Sequence, residues 1–309
     1  MDEKKIPAYV VNGFLEAGKT TYIQENIFRD FFHKRGKTLI LSFEEGEKEY
    51  DIERLSSFRT TAVQFEGGDD IPAFCMEQIE KHQPDRIYIE ANAMMDGLAS
   101  MLPPVINVVD TTTLIDGSTL PLYFNNLRQQ LQTMVSSSNM VIFGRCEDKA
   151  SLAGYSTPFH LMNSKCVYLW ESPMGYSEQA FGLFLPYDLD QPVITVTDEI
   201  FPVWALDAGK YPQHYNGKKL DMIAQASLRD YLPEDSFFAG RLIMACCPAD
   251  MQFLGAECIN NAGIEITERC WIHIIATGIV KEDRYHVKRL VLEPDILEYA
   301  PAGKQIISG

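Results

Sequence analysis

No apolar run in this 309-residue chain approaches the ~20 residues a helix needs to cross a bilayer, so membrane insertion is not expected. The N-terminus, MDEKKIPAYVV, runs straight into an apolar strand-like stretch and leaves no room for a secretory leader. Positive charge is scarce as well. Lys and Arg number 27 against 43 Asp and Glu, a formal charge of −16, and acid exceeds base in both halves. Affinity for nucleic acid or anionic lipid comes mainly from Lys and Arg neutralising phosphates, so neither is an expected partner. Internal repeats and low-complexity tracts are also missing. A cytoplasmic location is expected, where the 7 cysteines would be reduced, as core residues or as metal and redox ligands.

What the chain does contain is a complete phosphate-binding signature. Gly13 to Thr20 read GFLEAGKT, with Thr21 following. The loop comes after the apolar run Ala8–Val11 and before a helix-like stretch, Tyr22–Lys34. Strand, loop and helix are all required. The strand fixes the loop, the glycines let backbone N–H groups approach an anion, and the helix N-terminus points at the same place. The backbone of Gly13, Glu16, Ala17 and Gly18, the Lys19 ammonium and the hydroxyls of Thr20 and Thr21 are therefore the expected nucleotide contacts. Thr20 is also the expected Mg²⁺ ligand.

The first half alternates short apolar runs with amphipathic segments, which predicts a mostly parallel sheet covered by helices. Strands are expected at Ala8–Asn12, Thr38–Phe43, Arg86–Glu90, Val105–Asp110, Met140–Phe143 and Cys166–Trp170. Helices are expected at Tyr22–Lys34, Ile52–Ser57, Ile71–Lys81, Tyr123–Val135 and Gly144–Leu152. Around Leu185–Pro192 the pattern lapses. Beyond it, runs at Val193–Val196, Lys219–Ala226, Phe237–Cys246, Gln252–Cys258, Cys270–Thr277 and Lys288–Leu292 read as strands. The expectation is an α/β P-loop NTPase domain at 1–185, a linker at 186–192 and a smaller mainly-β domain at 193–309, OB-like if its strands close into a barrel.

Ligands of such sheets sit at the C-terminal ends of the strands, where the acids after Phe43, Glu90 and Asp110 are expected. Glu90 ends the apolar strand Arg86–Ile89, the place of a carboxylate that orients Mg²⁺ or an attacking water; a strand-end charge facing solvent is the bland alternative. Glu44, Glu47 and Asp51 follow the second strand and offer the oxygen ligands that hard cations prefer. Composition alone leaves a solvated acidic turn equally open there.

Four motifs in order, GFLEAGKTT, FEEGEKEYD, the strand ending in Glu90, and VVDTTTL around Asp110, resemble the CobW family of GTPases, relatives of the UreG and HypB metal-insertion GTPases. The resemblance spans about residues 6–180. That family's second-strand segment reads close to NEFGEIGID, which Glu44, Gly46, Glu47 and Asp51 match. The resemblance implies a switch and Mg²⁺ region with Glu44, Asp51, Thr20 and Glu90 around the metal, and Lys19, Glu90 and Glu47 as the catalytic groups. It implies GTP as ligand, with ATP as the alternative.

The chain departs from the family twice. The Cys-x-Cys-Cys metal relay is missing, its place taken by Val63-Gln64-Phe65-Glu66-Gly67-Gly68-Asp69-Asp70. The guanine motif Asn-Lys-x-Asp is replaced by Phe143-Gly144-Arg145-Cys146-Glu147-Asp148. There Arg145 can stack on the base in place of Lys, and Glu147 or Asp148 can take the role of the Asp.

In the second half, Cys246 and Cys247 adjoin Pro248 and Asp250, with Cys258, Cys270 and His273 further along. Thiols, an imidazole and a carboxylate can form a soft-metal site, for Zn²⁺ or another transition metal, although the spacing fits no standard zinc pattern and buried cysteine is also an ordinary core residue. NGKKLDMIAQ, FFAGRLIMACCPAD and CWIHIIATGIV resemble the YcgQ-like family, the soluble partner region of a two-component permease. That resemblance covers about 195–300, including Arg241, Cys246, Cys247 and Asp250.

Together these readings lead to a GTPase with slow Mg²⁺-dependent hydrolysis, coupled to metal homeostasis or to metal delivery to a metalloprotein or permease. Two alternatives stay open: a degenerate nucleotide-binding regulatory module that does not hydrolyse, and a thiol-based metal or redox carrier centred on Cys246 and Cys247.

Overall fold

A computed structural model describes residues 5–29, 36–44, 46, 48–68, 70–95, 97–146, 150–172, 175–177, 182–245, 248–283 and 285–308. Its contacts divide the chain into two units, one of residues 1–153 and 165–182, the other of residues 154–164 and 183–309.

The first unit is built on an eight-stranded sheet. Its strands are β1 (Ile6–Asn12), β2 (Thr38–Ser42), β3 (Thr60–Gln64), β4 (Arg86–Glu90), β5 (Ile106–Asp116), β6 (Met140–Gly144), β7 (Val167–Ser172) and β8 (Gly175–Ser177), in the order β3-β2-β4-β1-β5-β6-β7-β8. Every pairing from β3 to β7 is parallel, and β8 alone runs antiparallel. Among the described residues, seven helices lie between them: α1 (Lys19–Ile27), α2 (Ile52–Ser57), α3 (Ile71–His82), α4 (Leu98–Met101), α5 (Leu120–Asn126), α6 (Arg128–Ser136) and α7 (Ala150–Ala153).

Alternation along the strands feeds two cores. Val10, Leu39, Leu41, Ile87 and Ile89 pack with Ile71, Cys75 and Ile79 of α3. The intervening Val11, Ile40 and Tyr88 pack with Ile23 and Ile27 of α1. Burial on both faces is why these strands read as continuous apolar runs rather than as a clean alternation; β2 is buried at all five positions. From β1 the chain builds outward to one side through β4, β2 and β3, and later to the other through β5, β6 and β7. The C-terminal end of β1 is therefore a topological switch point, where such sheets bind ligands.

Several local expectations are corrected. The helix after the phosphate loop runs over Lys19–Ile27 rather than from Tyr22, and residues 30–34 of its expected course lie outside the described residues. β5 continues to Asp116 through the β-branched Thr111–Thr113, so Asp110 lies within the strand and not at its end. The single helix expected over Tyr123–Val135 is two, parted at Leu127 (φ −129°, ψ 37°). Just before the break, the Asn126 side-chain amide donates to the Leu122 carbonyl at 2.8 Å, a local bond that competes with helix continuation. Gly144 ends β6, and Arg145 at φ 51° turns the chain where a helix was expected to begin.

The second unit contains α8 (Ser156–Met162), β9 (Val193–Val196), α9 (Phe201–Lys210), β10 (Lys219–Ser227), β11 (Ser236–Met244), β12 (Gln252–Ile259), β13 (Trp271–Glu282), β14 (Lys288–Tyr299) and β15 (Ile306–Ser308). Five of its strands close into a barrel in the order β10-β11-β12-β14-β13, returning to β10. Only the β12–β14 pairing of this ring is parallel. That is the five-stranded Greek-key ring of an OB-like barrel. The closing seam is short: β10 and β11 pair only at Gln225↔Gly240, Ala226↔Ala239 and Ser227↔Phe238. Away from it, Lys219–Met222 pair with β9 and Leu242–Met244 with β15, both in parallel. Helix α9, which the strand-like reading of this half missed, is buried along most of its length through Phe201, Val203, Trp204, Ala205 and Ala208. The fold is thus α/β with a mostly parallel P-loop-type sheet, followed by a smaller mainly-β barrel.

Candidate functional site

The phosphate loop leaves β1 at Asn12, whose side chain accepts from the Gly13 N–H at 3.1 Å. Gly13 has φ 145°, and a Cβ there would lie 2.5 Å from the Leu114 carbonyl oxygen of β5. No other residue lets the loop leave the sheet so close to the neighbouring strand. Glu16 (φ 64°) and Gly18 (φ 95°) are also left-handed, and Gly18 forms the N-cap of α1. A turn of this kind directs successive N–H groups inward as an anion-binding nest.

Lys19 is 3% exposed. Its ammonium donates to the carbonyls of Gly13 and Phe14, each at 2.8 Å, and forms an ion pair with Glu44. Its three donors are thereby used. Burial raises the Glu44 pKa, and the hydrogen bond and charge of Lys19 pull it back.

Glu90, at the end of β4, is 4% exposed and gathers three hydroxyls. Thr20 donates to Oε1 at 2.7 Å, while Ser42 and Tyr50 donate to Oε2 at 2.7 Å and 2.9 Å. Burial first, and then the Glu90 charge, hold the Tyr50 hydroxyl well above its ordinary pKa, so it stays a donor. Lys48 donates to the Thr21 hydroxyl at 2.7 Å. The Asp51 carboxylate is engaged elsewhere, accepting from Arg54 N–H at 3.0 Å as the cap of α2. Glu47 lies outside the described residues.

A second part of the cleft opens between the start of α1 and the C-terminal ends of β5, β6 and β7, lined by Ala17, Gly18, Thr21, Asp116, Arg145 and Glu171 among others. The Arg145 guanidinium donates to Asp116 Oδ2 at 2.7 Å and to the Glu16 carbonyl, which ties the end of β6 to the phosphate loop. Glu147 and Asp148 lie outside the described residues.

The structure thus brings Lys19, Thr20, Glu44 and Glu90 together, and sets Arg145 beside Glu16, Ala17, Gly18 and Thr21. Sequence reasoning missed Ser42, Tyr50, Asp116 and Glu171. Asp116 and Glu171 carried a signal, since each is an acid ending an apolar strand; Ser42 and Tyr50 carried none.

In the second unit, Cys246 and Cys247 lie outside the described residues. Their sequence neighbours have structural partners. Asp250 accepts from the Ala245 N–H at 3.0 Å. Arg241 is 1% exposed, ion-paired with Asp198, and donates to the Lys304 carbonyl at 2.7 Å; its guanidinium lies 4.8 Å from the Trp271 ring centre. Cys258 is buried, which pushes its thiol pKa far up. His273 donates to or accepts from Asp221 at 2.9 Å and Glu298 at 3.1 Å. Among the described residues no group of three or more His, Cys, Asp or Glu is placed to hold a metal ion, and no helix is long and apolar enough to cross a membrane.

A parallel sheet whose strand order switches at β1, with a phosphate-loop sequence there and a carboxylate on the adjacent strand reaching Thr20, defines the P-loop fold class. Residues 177–293 match the family described as the DUF1980 C-terminal domain. A search of curated proteins finds no match. Among solved structures, similarity is found to the hydrogenase maturation factor HypB from Archaeoglobus fulgidus (14% identity, 55% of this chain and 82% of that chain, TM-score 0.38). A Zn(II)-bound YjiA GTPase from E. coli is also similar (13% identity, 73% of this chain and 74% of that chain, TM-score 0.39). So is HypB from Helicobacter pylori in complex with nickel (12% identity, 58% of this chain and 83% of that chain, TM-score 0.36). At such identities nothing those proteins bind carries over to this chain.

Proposed function

We propose that this protein binds GTP with Mg²⁺, hydrolyses it slowly, and couples the nucleotide state to metal homeostasis through a metalloprotein or permease partner. The carrying observation is the convergence of Lys19, Thr20, Glu44 and Glu90 at the switch point of the sheet. Lys19 and the loop N–H groups hold the phosphates, and the Arg145 plane offers a stacking face for the base. The donors around Thr20, its own hydroxyl and the Glu90 carboxylate, are hard oxygens that fit Mg²⁺. Bound there, the ion would neutralise charge on the outer phosphates. Glu44 partners Lys19 and must yield it when a triphosphate arrives, which makes the segment after β2 the part that responds to nucleotide. The resemblance of residues 6–180 to metal-insertion GTPases supports the coupling to metal, and the Cys246 and Cys247 thiols are soft ligands suited to a cargo ion.

Titration of GTP and ATP, with and without Mg²⁺, alongside phosphate release, tests this. Lys19→Ala should weaken triphosphate binding by about ten- to a hundredfold, the worth of one charge-assisted contact. Unchanged affinity would remove the nucleotide reading. Tight binding without phosphate release would leave a regulatory binding module in its place.

A further inference from the structure

The base end of the cleft holds an acidic group near the end of β7 that the nucleotide reading leaves unused. Glu171 follows Trp170 of β7, which pairs with Phe143 of β6. Its carboxylate occupies the space in front of Gly144, where a Cβ would lie 2.7 Å from Oε2. Glu171 lines the same hollow as Ala17, Gly18 and Thr21, so a ligand anchored on the phosphate loop extends toward it.

Of the two other acids that line the hollow, Glu25 belongs to α1 rather than to a strand end, and Asp116 is already committed. Asp116 accepts from the Ser118 N–H at 2.9 Å and the Ser118 hydroxyl at 2.6 Å on Oδ1, and from Arg145 at 2.7 Å on Oδ2. No hydrogen bond or ion pair within the described residues engages the Glu171 side chain. The hollow therefore presents a pinned, planar cation at its wall and a free, acceptor-only group beside it.

We propose that Glu171 selects the base and that the base it selects is guanine. This rests on the nucleotide-binding reading above. A carboxylate only accepts. Guanine offers two adjacent donors, the ring N1–H and the exocyclic amine, which match the two oxygens of one carboxylate as a guanidinium fork does. Adenine offers one donor beside a ring nitrogen lone pair, which the carboxylate repels. Xanthine carries a carbonyl in place of guanine's amine and is read by an amide instead. At Gly144 no side chain competes for the space that the Glu171 carboxylate occupies.

Equilibrium binding of GTP, ATP, xanthosine triphosphate and inorganic tripolyphosphate to the full chain and to Glu171→Gln decides the matter. The unaltered protein should prefer GTP to ATP. Glu171→Gln should lose about tenfold or more in GTP affinity and gain for xanthosine triphosphate. Its unchanged tripolyphosphate binding shows that the loop remains folded. A guanine preference that survives Glu171→Gln, or that is lost instead in Glu147→Gln, overturns the proposal, as does a preference of the unaltered protein for ATP. Triphosphate binding that depends on Lys19 but ignores the base removes only the role of Glu171. Failure to bind any of the four probes removes the nucleotide reading with it.

Discussion

Two buried cations, one in each unit, make nearly the same contacts in different settings. Lys19 and Arg241 are 3% and 1% exposed, and each pairs with a carboxylate and donates to backbone carbonyl oxygen. Arg241 projects from a barrel strand between aromatic rings, 4.8 Å from the centre of Trp271 and 5.9 Å from that of Phe201. Its partner carbonyl, Lys304, lies in the stretch leading into β15. Lys19 instead begins α1 directly after the phosphate loop, and its carboxylate comes from a connecting segment rather than from an element. Pairing alone does not separate a structural charge from a working one. What separates them is whether the partner can leave and whether a ligand can take its place.

The comparison can be broken at several points. Removing one member of a buried pair typically costs about 3–5 kcal/mol, so Arg241→Ala should lower stability toward denaturant by that much. Adding Asp198→Asn should recover part of the loss in a double-mutant cycle. Glu44→Gln should act on binding in the opposite sense. With Lys19 no longer held by a charged partner, triphosphate affinity measured in chelator should rise about tenfold, while the uncompensated Lys19 charge lowers the unfolding midpoint of the nucleotide-free protein. Tyr50→Phe removes one hydrogen bond to Glu90, worth about 1 kcal/mol, and should slow Mg²⁺-dependent phosphate release several-fold while binding holds.

The smallest effect belongs to His273, whose pKa is raised, first by its hydrogen bond to Glu298 and then by that to Asp221. A raised folded pKa contributes stability that is full below the unfolded value of about 6.5 and disappears as pH climbs through the folded one. The unfolding temperature of the wild type should therefore fall over that range, relative to His273→Gln.

The phosphate half of the cleft was legible because its chemistry is compressed into eight consecutive residues, Gly13–Thr20, whose spacing is dictated by backbone geometry. Glu90 was legible because an acid ending an apolar strand has few other reasons to be there. The base half was not. It is assembled from the ends of β5, β6 and β7, residues 116, 145 and 171, and only the register of a parallel sheet brings those together. Asp110 misled as well: the strand was expected to end there, whereas the β-branched Thr111–Thr113 carry it on to Asp116. In the second half the strands were visible, yet α9 was hidden, because a helix buried on most sides has the same apolar density as a strand.

The barrel's seam has a bearing on colloidal behaviour. A ring that closed completely would expose no strand edge, whereas β10 and β11 part after three paired positions. The backbone groups of Lys219–Met222 and Leu242–Met244 would then lie open as a template for another chain. Two strands of only four and three residues, β9 and β15, occupy those edges. Strands that short are poor templates themselves, so they act as stoppers against edge-to-edge aggregation, a task separate from anything the nucleotide cleft does.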